Sequence, residues 1–133
     1  MKTKELTYKD WKKKYYPIPA SAAKYSTLDA AEHSLLKWTG LYPSVLEKYK
    51  LYKLSGKIRN LDDKLIIELN DTTCALCKRF KHCDTCPIKE EIGSACSLSF
   101  NDPYSYFIKF SDPRPMIKLL RKIIRKESRM LLR

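Results

Sequence analysis

The stretch Cys74-Ala-Leu-Cys77-Lys-Arg-Phe-Lys-His-Cys83-Asp-Thr-Cys86-Pro-Ile-Lys-Glu-Glu-Ile-Gly-Ser-Ala-Cys96 holds all five cysteines of a 133-residue chain. Its spacing is C-x2-C, five residues, C-x2-C, nine residues, C. Two C-x2-C pairs so close together bring four thiolates within reach of one inorganic centre, and Cys96 is a further donor able to replace one of them. An odd cysteine count does not suit a closed disulfide framework, and a reducing compartment would keep the thiols reduced. The expected fold follows: a mainly α, small single domain of short helices around a cysteine metal-binding knot at 74–96, with room for one short strand or hairpin.

Two metal centres fit the donor set Cys74, Cys77, Cys83, Cys86 and Cys96. Tetrahedral Zn²⁺ takes two thiolates from each C-x2-C turn, although the loop between the pairs is tight. A 4Fe-4S cluster also takes four cysteines, and Pro87 directly after Cys86 is a common feature of cluster loops. Read from Cys77, the pattern resembles the middle of the cluster loop of helix-hairpin-helix DNA glycosylases. Neither a helix-hairpin-helix motif nor a glycosylase catalytic pair accompanies it, so that resemblance implies a cluster loop and no activity. His82 is an alternative ligand. Dithiol redox chemistry would need a thioredoxin-like βαβ setting, which the sequence lacks.

Outward from this segment, the chain divides into a basic, aromatic arm at 1–25, a helical domain at 26–112 and a basic amphipathic helix at 113–133. Trp11, Tyr15 and Tyr16 stand beside Lys12, Lys13 and Lys14, and Pro17 and Pro19 favour an extended segment. Those aromatics either pack on the domain or meet nucleic acid. Ser26 with Asp29 opens a helix that buries Leu28, Ala31, Leu35 and Trp38, leaves His33 and Lys37 outside that stripe, and stops at Gly40. Ser44 and Glu47 read as the capping box of a second helix, after Pro43, with Val45, Leu46 and Tyr49 as its contacts. Gly56 and Asn60 are breaks. Leu65, Ile67 and Leu69 alternate as one face of a short strand.

Pro87 can begin a short helix that Gly93 ends. Asp102-Pro103 and Asp112-Pro113 are the start signals of the last two. The first carries Tyr104, Tyr106, Phe107 and Ile108. The second has an apolar stripe of Met116, Leu119, Leu120, Ile123, Ile124 and Leu131, with cations over the rest.

The formal charge is +12, and +7 of it lies from Pro113 to Arg133, where eight Lys or Arg face Glu127 alone. Such a concentration suits a polyanion. Lys118, Arg121, Lys122, Arg125, Lys126 and Arg129 are the candidate contacts to nucleic acid, or to a host protein with an acidic surface. No apolar run is long enough to span a bilayer and no secretory h-region is seen, so a cytoplasmic protein without membrane contact is expected. No glycine-rich phosphate loop, histidine-rich metal centre or nucleophile with an evident base is present, and the chain is read as not an enzyme.

The ordered set Ala30, Ser34, Lys37 and Trp38, then Cys74, Leu76 and Cys77, then Cys83, Cys86, Pro87 and Ile88, then Gly93, Cys96, Pro103 and Tyr104 resembles a group of small cysteine-rich proteins frequent in phages and prophages. The likeness spans residues 28 to 106. It implies a phage origin, hence a bacterial host cytoplasm, and a cysteine-bound metal. It departs at Phe100-Asn101-Asp102, at the longer insert before the cysteines and at the basic C-terminal helix.

Two functions are therefore carried forward. One is a metal-stabilised accessory protein that binds nucleic acid through basic surfaces. The other is a module that docks on and inhibits or modulates a host complex, a defence system or polymerase, by inserting the Met116-to-Ile124 stripe into a groove. Elemental analysis of freshly purified protein tests the shared premise. One zinc and a colourless solution is the expected outcome, iron with acid-labile sulfide and a brown colour marks the cluster, and absence of both metals removes the knot.

Overall fold

Ser26 opens the central element as its sequence predicts. Its hydroxyl oxygen accepts the Asp29 N–H at 2.9 Å, and helix α2 runs Thr27–Thr39 before Gly40. The computed structural model describes residues 7–69, 73–80, 87 and 103–131, with the backbone alone at Cys77 and Leu131. The expected Pro87-to-Gly93 helix lies outside these residues apart from Pro87 itself.

The N-terminal segment holds a helix of its own, α1, Tyr8–Tyr15. The Thr7 N–H donates to the Asp10 carboxylate at 2.8 Å, satisfying a donor at the helix start. Trp11 is fully buried, and its indole N–H donates to the Gly40 carbonyl at 2.8 Å. The aromatics of the expected extended arm thus enter the core, as the first of their two readings has it. One helical turn apart, Trp11 and Tyr15 share the face of α1 that meets α2. Pro17 and Pro19 follow α1, and a single 3₁₀ turn, Ala20–Ala22, leads towards α2.

Helix α3, Pro43–Lys48, has Pro43 in its first turn and Tyr42 as its N-cap residue. The expected Ser44–Glu47 capping box is not formed, because Ser44 already lies inside the helix and proline fixes the first helical φ without a side-chain cap. Leu46 and Tyr49 are buried as expected.

An antiparallel meander of three strands follows: β1 Leu51–Leu54, β2 Lys57–Asn60 and β3 Leu65–Glu68. The sequence anticipated a single strand or hairpin. Ser55, at φ 58°, makes the first turn tight. Asn60 closes the second, its side-chain oxygen accepting the N–H groups of Asp62 and Lys64 at 3.0 and 2.9 Å. The expected alternation in β3 is overturned: Ile66 and Ile67 are both buried while Leu65 is exposed. Ile58 pairs with Ile67 but Arg59 with Leu65, so Ile66 is an extra, bulged residue and the two-residue period slips.

Two short helices and one long one complete the described chain. Helix α4, Ala75–Phe80, starts directly after Cys74. Helix α5, Pro103–Phe110, begins at the predicted proline, and α6, Arg114–Leu131, follows Asp112-Pro113, with the Asp112 carboxylate accepting the Arg114 N–H at 3.0 Å. The core lies around α2. Helices α4 and α6 pack against it, and Trp38 meets Phe107 of α5 edge-on at 5.1 Å and Tyr104 at 6.4 Å. Tyr104 and Lys53 tie α5 to the sheet by donating to the carbonyls of Leu69 and Ile108 at 2.6 and 2.7 Å.

Gly40 is where α1 and α2 approach most closely: a β-carbon there would sit 2.6 to 2.9 Å from Tyr15 ring and Cβ atoms. Tyr15 is buried, so it has little room to yield. Gly40→Ala is expected to lower stability by about 1–3 kcal/mol, read as a shift in urea midpoint with an unchanged slope. An unaltered midpoint would mean that α1 separates from α2 at little cost.

Candidate functional site

Two regions were singled out by the sequence: the cysteine segment and the basic C-terminal helix. The structure sets the start of the first, through Phe80, and helix α6 against α2.

Lys37 lies on the side of α2 nearest the cysteines and is 2% exposed. Burial of an ammonium is costly without a hydrogen-bond acceptor, and Lys37 Nζ donates to the Thr73 carbonyl at 2.8 Å, one residue before Cys74. At the far end of α4, Arg79 donates to the Thr27 hydroxyl and the Lys24 carbonyl, each at 3.1 Å. With one end of α4 at Lys37 and the other at Thr27, the two helices run antiparallel. The start of the cysteine segment is thus laid along α2.

Cys74 is half-buried and Cys77 sits in the first turn of α4, three residues on. Those positions are about one helical turn apart, so the first C-x2-C lies at the start of α4. Cys83, Cys86 and Cys96, and with them His82, lie outside the described residues. Among the described residues no group of three or more His, Cys, Asp or Glu converges on one point.

Two ring side chains, Tyr16 and His33, lie between the N-terminal segment and α2. Burial pushes the Tyr16 phenol up, opposed by the Ala20 N–H that it accepts at 3.1 Å, and the Cys74 sulfur adds to the upward shift. His33 lies edge-on to Tyr16 at 5.0 Å, with Nε2 2.8 Å from the Ile18 carbonyl. A carbonyl only accepts, so Nε2 carries the proton. Sequence periodicity placed His33 and Lys37 outside the buried stripe, and both are buried. Coverage of α2 by α4 as well as α6 leaves it no single dry face.

Helix α6 separates its side chains cleanly. Met116, Ile117, Leu119, Leu120 and Ile123 are buried and Ile124 is half-buried. All seven cations of the helix, Arg114 and the six predicted from sequence, are exposed. At 3.6 residues per turn those seven fall in one arc opposite Met116, Leu120 and Ile123. Lys118, Arg121, Arg125 and Arg129 make no hydrogen bond or ion pair with another described residue. Arg114 is held by Asp112, with its Nη2 at 2.8 Å from the carboxylate. The guanidinium and N–H of Arg114 hold the Asp112 carboxyl below its usual range, so the pair's contribution is present above that range and fades as pH falls through the lowered value.

A cleft of ≈ 460 Å³ lies along this face, lined by Tyr42, Arg114, Ile117, Lys118, Arg121 and Arg125. Tyr42, Arg114 and the α5 ring Tyr106 were not anticipated as site residues. Tyr42 comes from the α2–α3 connection, distant in sequence, and only the fold brings it here. The expected insertion of the Met116-to-Ile124 stripe into a partner groove is overturned, because those side chains already form the core against α2. No helix among the described residues is long and apolar enough to cross a membrane.

No protein-family model, curated protein or solved structure matches the chain.

Lys37→Met keeps the length of the side chain and leaves the Thr73 carbonyl without its donor. A loss of about 1–3 kcal/mol in chemical denaturation is expected. Stability equal to or above that of the parent would show that Lys37 does not hold the cysteine segment to α2.

Proposed function

We propose that this protein is a non-enzymatic accessory protein of phage type that binds nucleic acid through the exposed face of α6, while a cysteine-bound metal, Zn²⁺ or a 4Fe-4S cluster, stabilises the domain. The observation that carries the reading is the unbroken cationic arc of α6. Seven Lys or Arg share it, and the opposite face of the same helix is committed to the core. Phosphate contacts made by such a face are long-range and independent of sequence, and they release condensed counterions. No described helix presents a recognition-helix pattern, so affinity without base specificity is the expected behaviour.

The metal part of the proposal is supported by the donor set of the sequence and by the way Lys37 and Arg79 lay the start of that segment against α2. Thiolate donors on Zn²⁺ leave local negative charge, and a lysine ammonium anchored one residue before Cys74 is suitably placed to offset part of it. Metal binding by cysteine ligands would be coupled to folding and would add directly to stability.

The reading is tested by fluorescence anisotropy with labelled oligonucleotides at low and physiological salt. Micromolar binding is expected, weakening about a hundredfold between 50 and 200 mM salt if four phosphates are neutralised. Arg121→Gln with Arg125→Gln should weaken binding to every oligonucleotide and reduce the salt dependence without changing the thermal midpoint. Absence of binding at micromolar protein, together with recovery of one stoichiometric protein from nuclease-treated bacterial lysate, would instead support docking on an acidic host surface.

A further inference from the structure

Helix α5 buries Pro103 and Phe107 and turns Tyr106 and Phe110 outward. The two outward rings are one helical turn apart, with centroids 4.7 Å apart, and are 37% and 57% exposed. The rings are tilted at 47° to each other, so together they form an exposed apolar patch in which each keeps a ring face open. The patch is bordered by cations. Lys109 Nζ lies 5.4 Å from the Phe110 ring centroid, and Arg114 opens α6 directly after the short link from α5.

Arg114 is not a loose neighbour. Asp112 fixes its guanidinium through Nε and Nη2 at 2.9 and 2.8 Å, and Arg114 lines the same cleft as Tyr42. Four residues after Phe110, it is the first cation of the cleft that Tyr42, Lys118, Arg121 and Arg125 also line. The surface passes from an aromatic patch to a phosphate-binding groove within one loop and one helix turn.

We infer that this composite surface takes single-stranded nucleic acid in preference to duplex, the backbone following the cationic cleft and unpaired bases stacking on Phe110 and Tyr106. The inference rests on the nucleic-acid reading above and adds the strandedness of the ligand. In a duplex the base faces are already stacked on each other, so exposed rings contribute nothing to its binding. An unpaired base has a free face, and stacking it on a protein ring is sequence-tolerant. Charge complementarity selects a polyanion and the rings select one with free bases. DNA and RNA strands share both properties.

The test compares the full-length protein with Phe110→Ala and Phe110→Trp, using labelled oligo-dT, oligo-U and a duplex of equal length. Phe110 is exposed, so both variants should keep the parent melting temperature. The inference expects tighter binding of the strands than of the duplex. Phe110→Ala should weaken the strands about 5- to 30-fold and the duplex less than about twofold, and Phe110→Trp should restore strand binding.

Three results overturn it. They are an unchanged strand affinity in Phe110→Ala, an equal weakening of strand and duplex in that variant, and competition by poly-glutamate of matching charge as effective as that of the strand. In each of these the parent protein still binds a polyanion, and the electrostatic reading survives. If the parent binds neither strand nor duplex, both proposals fall together.

Discussion

The interior placement of α2 is the constraint on which the rest of the structure depends. Its thirteen residues are met by α1, α4 and α6, and Trp38 reaches the aromatic side chains of α5. Ala30, Ala31 and Ser34 are small enough to let neighbouring helices come close. A helix enclosed on several sides cannot keep all its polar residues in water: Asp29 and Glu32 are exposed, but Lys37 is inside and its ammonium needs an acceptor there. The Thr73 carbonyl supplies it, which places the beginning of the cysteine run beside α2 whatever its thiolates then hold.

The same helix organises the charged face. Seven cations along one arc of α6 repel one another, and an isolated peptide of this composition would have little reason to remain helical at moderate salt. Burial of Met116, Leu120 and Ile123 against α2 offsets that repulsion and fixes the direction in which the cations project. A bound polyanion would relieve the repulsion further, so the energetics of folding and of the proposed binding reinforce each other. The connection through Asp112 and Arg114 then sets α5 at the edge of the cationic surface, where its outward rings become part of it.

Where a residue type alone carries the physics, the chain was legible. Ser26, Pro103 and Asp112-Pro113 start helices for reasons local to a few bonds, and the apolar period of α6 is strong enough to survive any context. The turns were harder. With only three glycines in the chain, left-handed positions among the described residues fall on Lys50, Ser55, Asp63 and Ser111, whereas the sequence had marked Gly56 and Asn60 as the breaks. The strand count was underestimated for that reason. The bulge at Ile66 hid the second cause: an extra residue interrupts alternation, so β3 has two adjacent buried isoleucines and no clean period.

The sequence by itself determined a mainly helical chain, the starts of α2, α5 and α6, the sidedness of α6 and the concentration of cysteines and of positive charge, since each depends on residues adjacent in the chain or on one helical repeat. Only the tertiary structure decided that Trp11 belongs to the core, that Lys37 and His33 are interior, and that Tyr42 lines one cleft with Arg114. Burial is a property of what covers a residue from elsewhere in the chain. A local pattern can report which side of a helix is apolar, but not how many of its sides a fold will enclose.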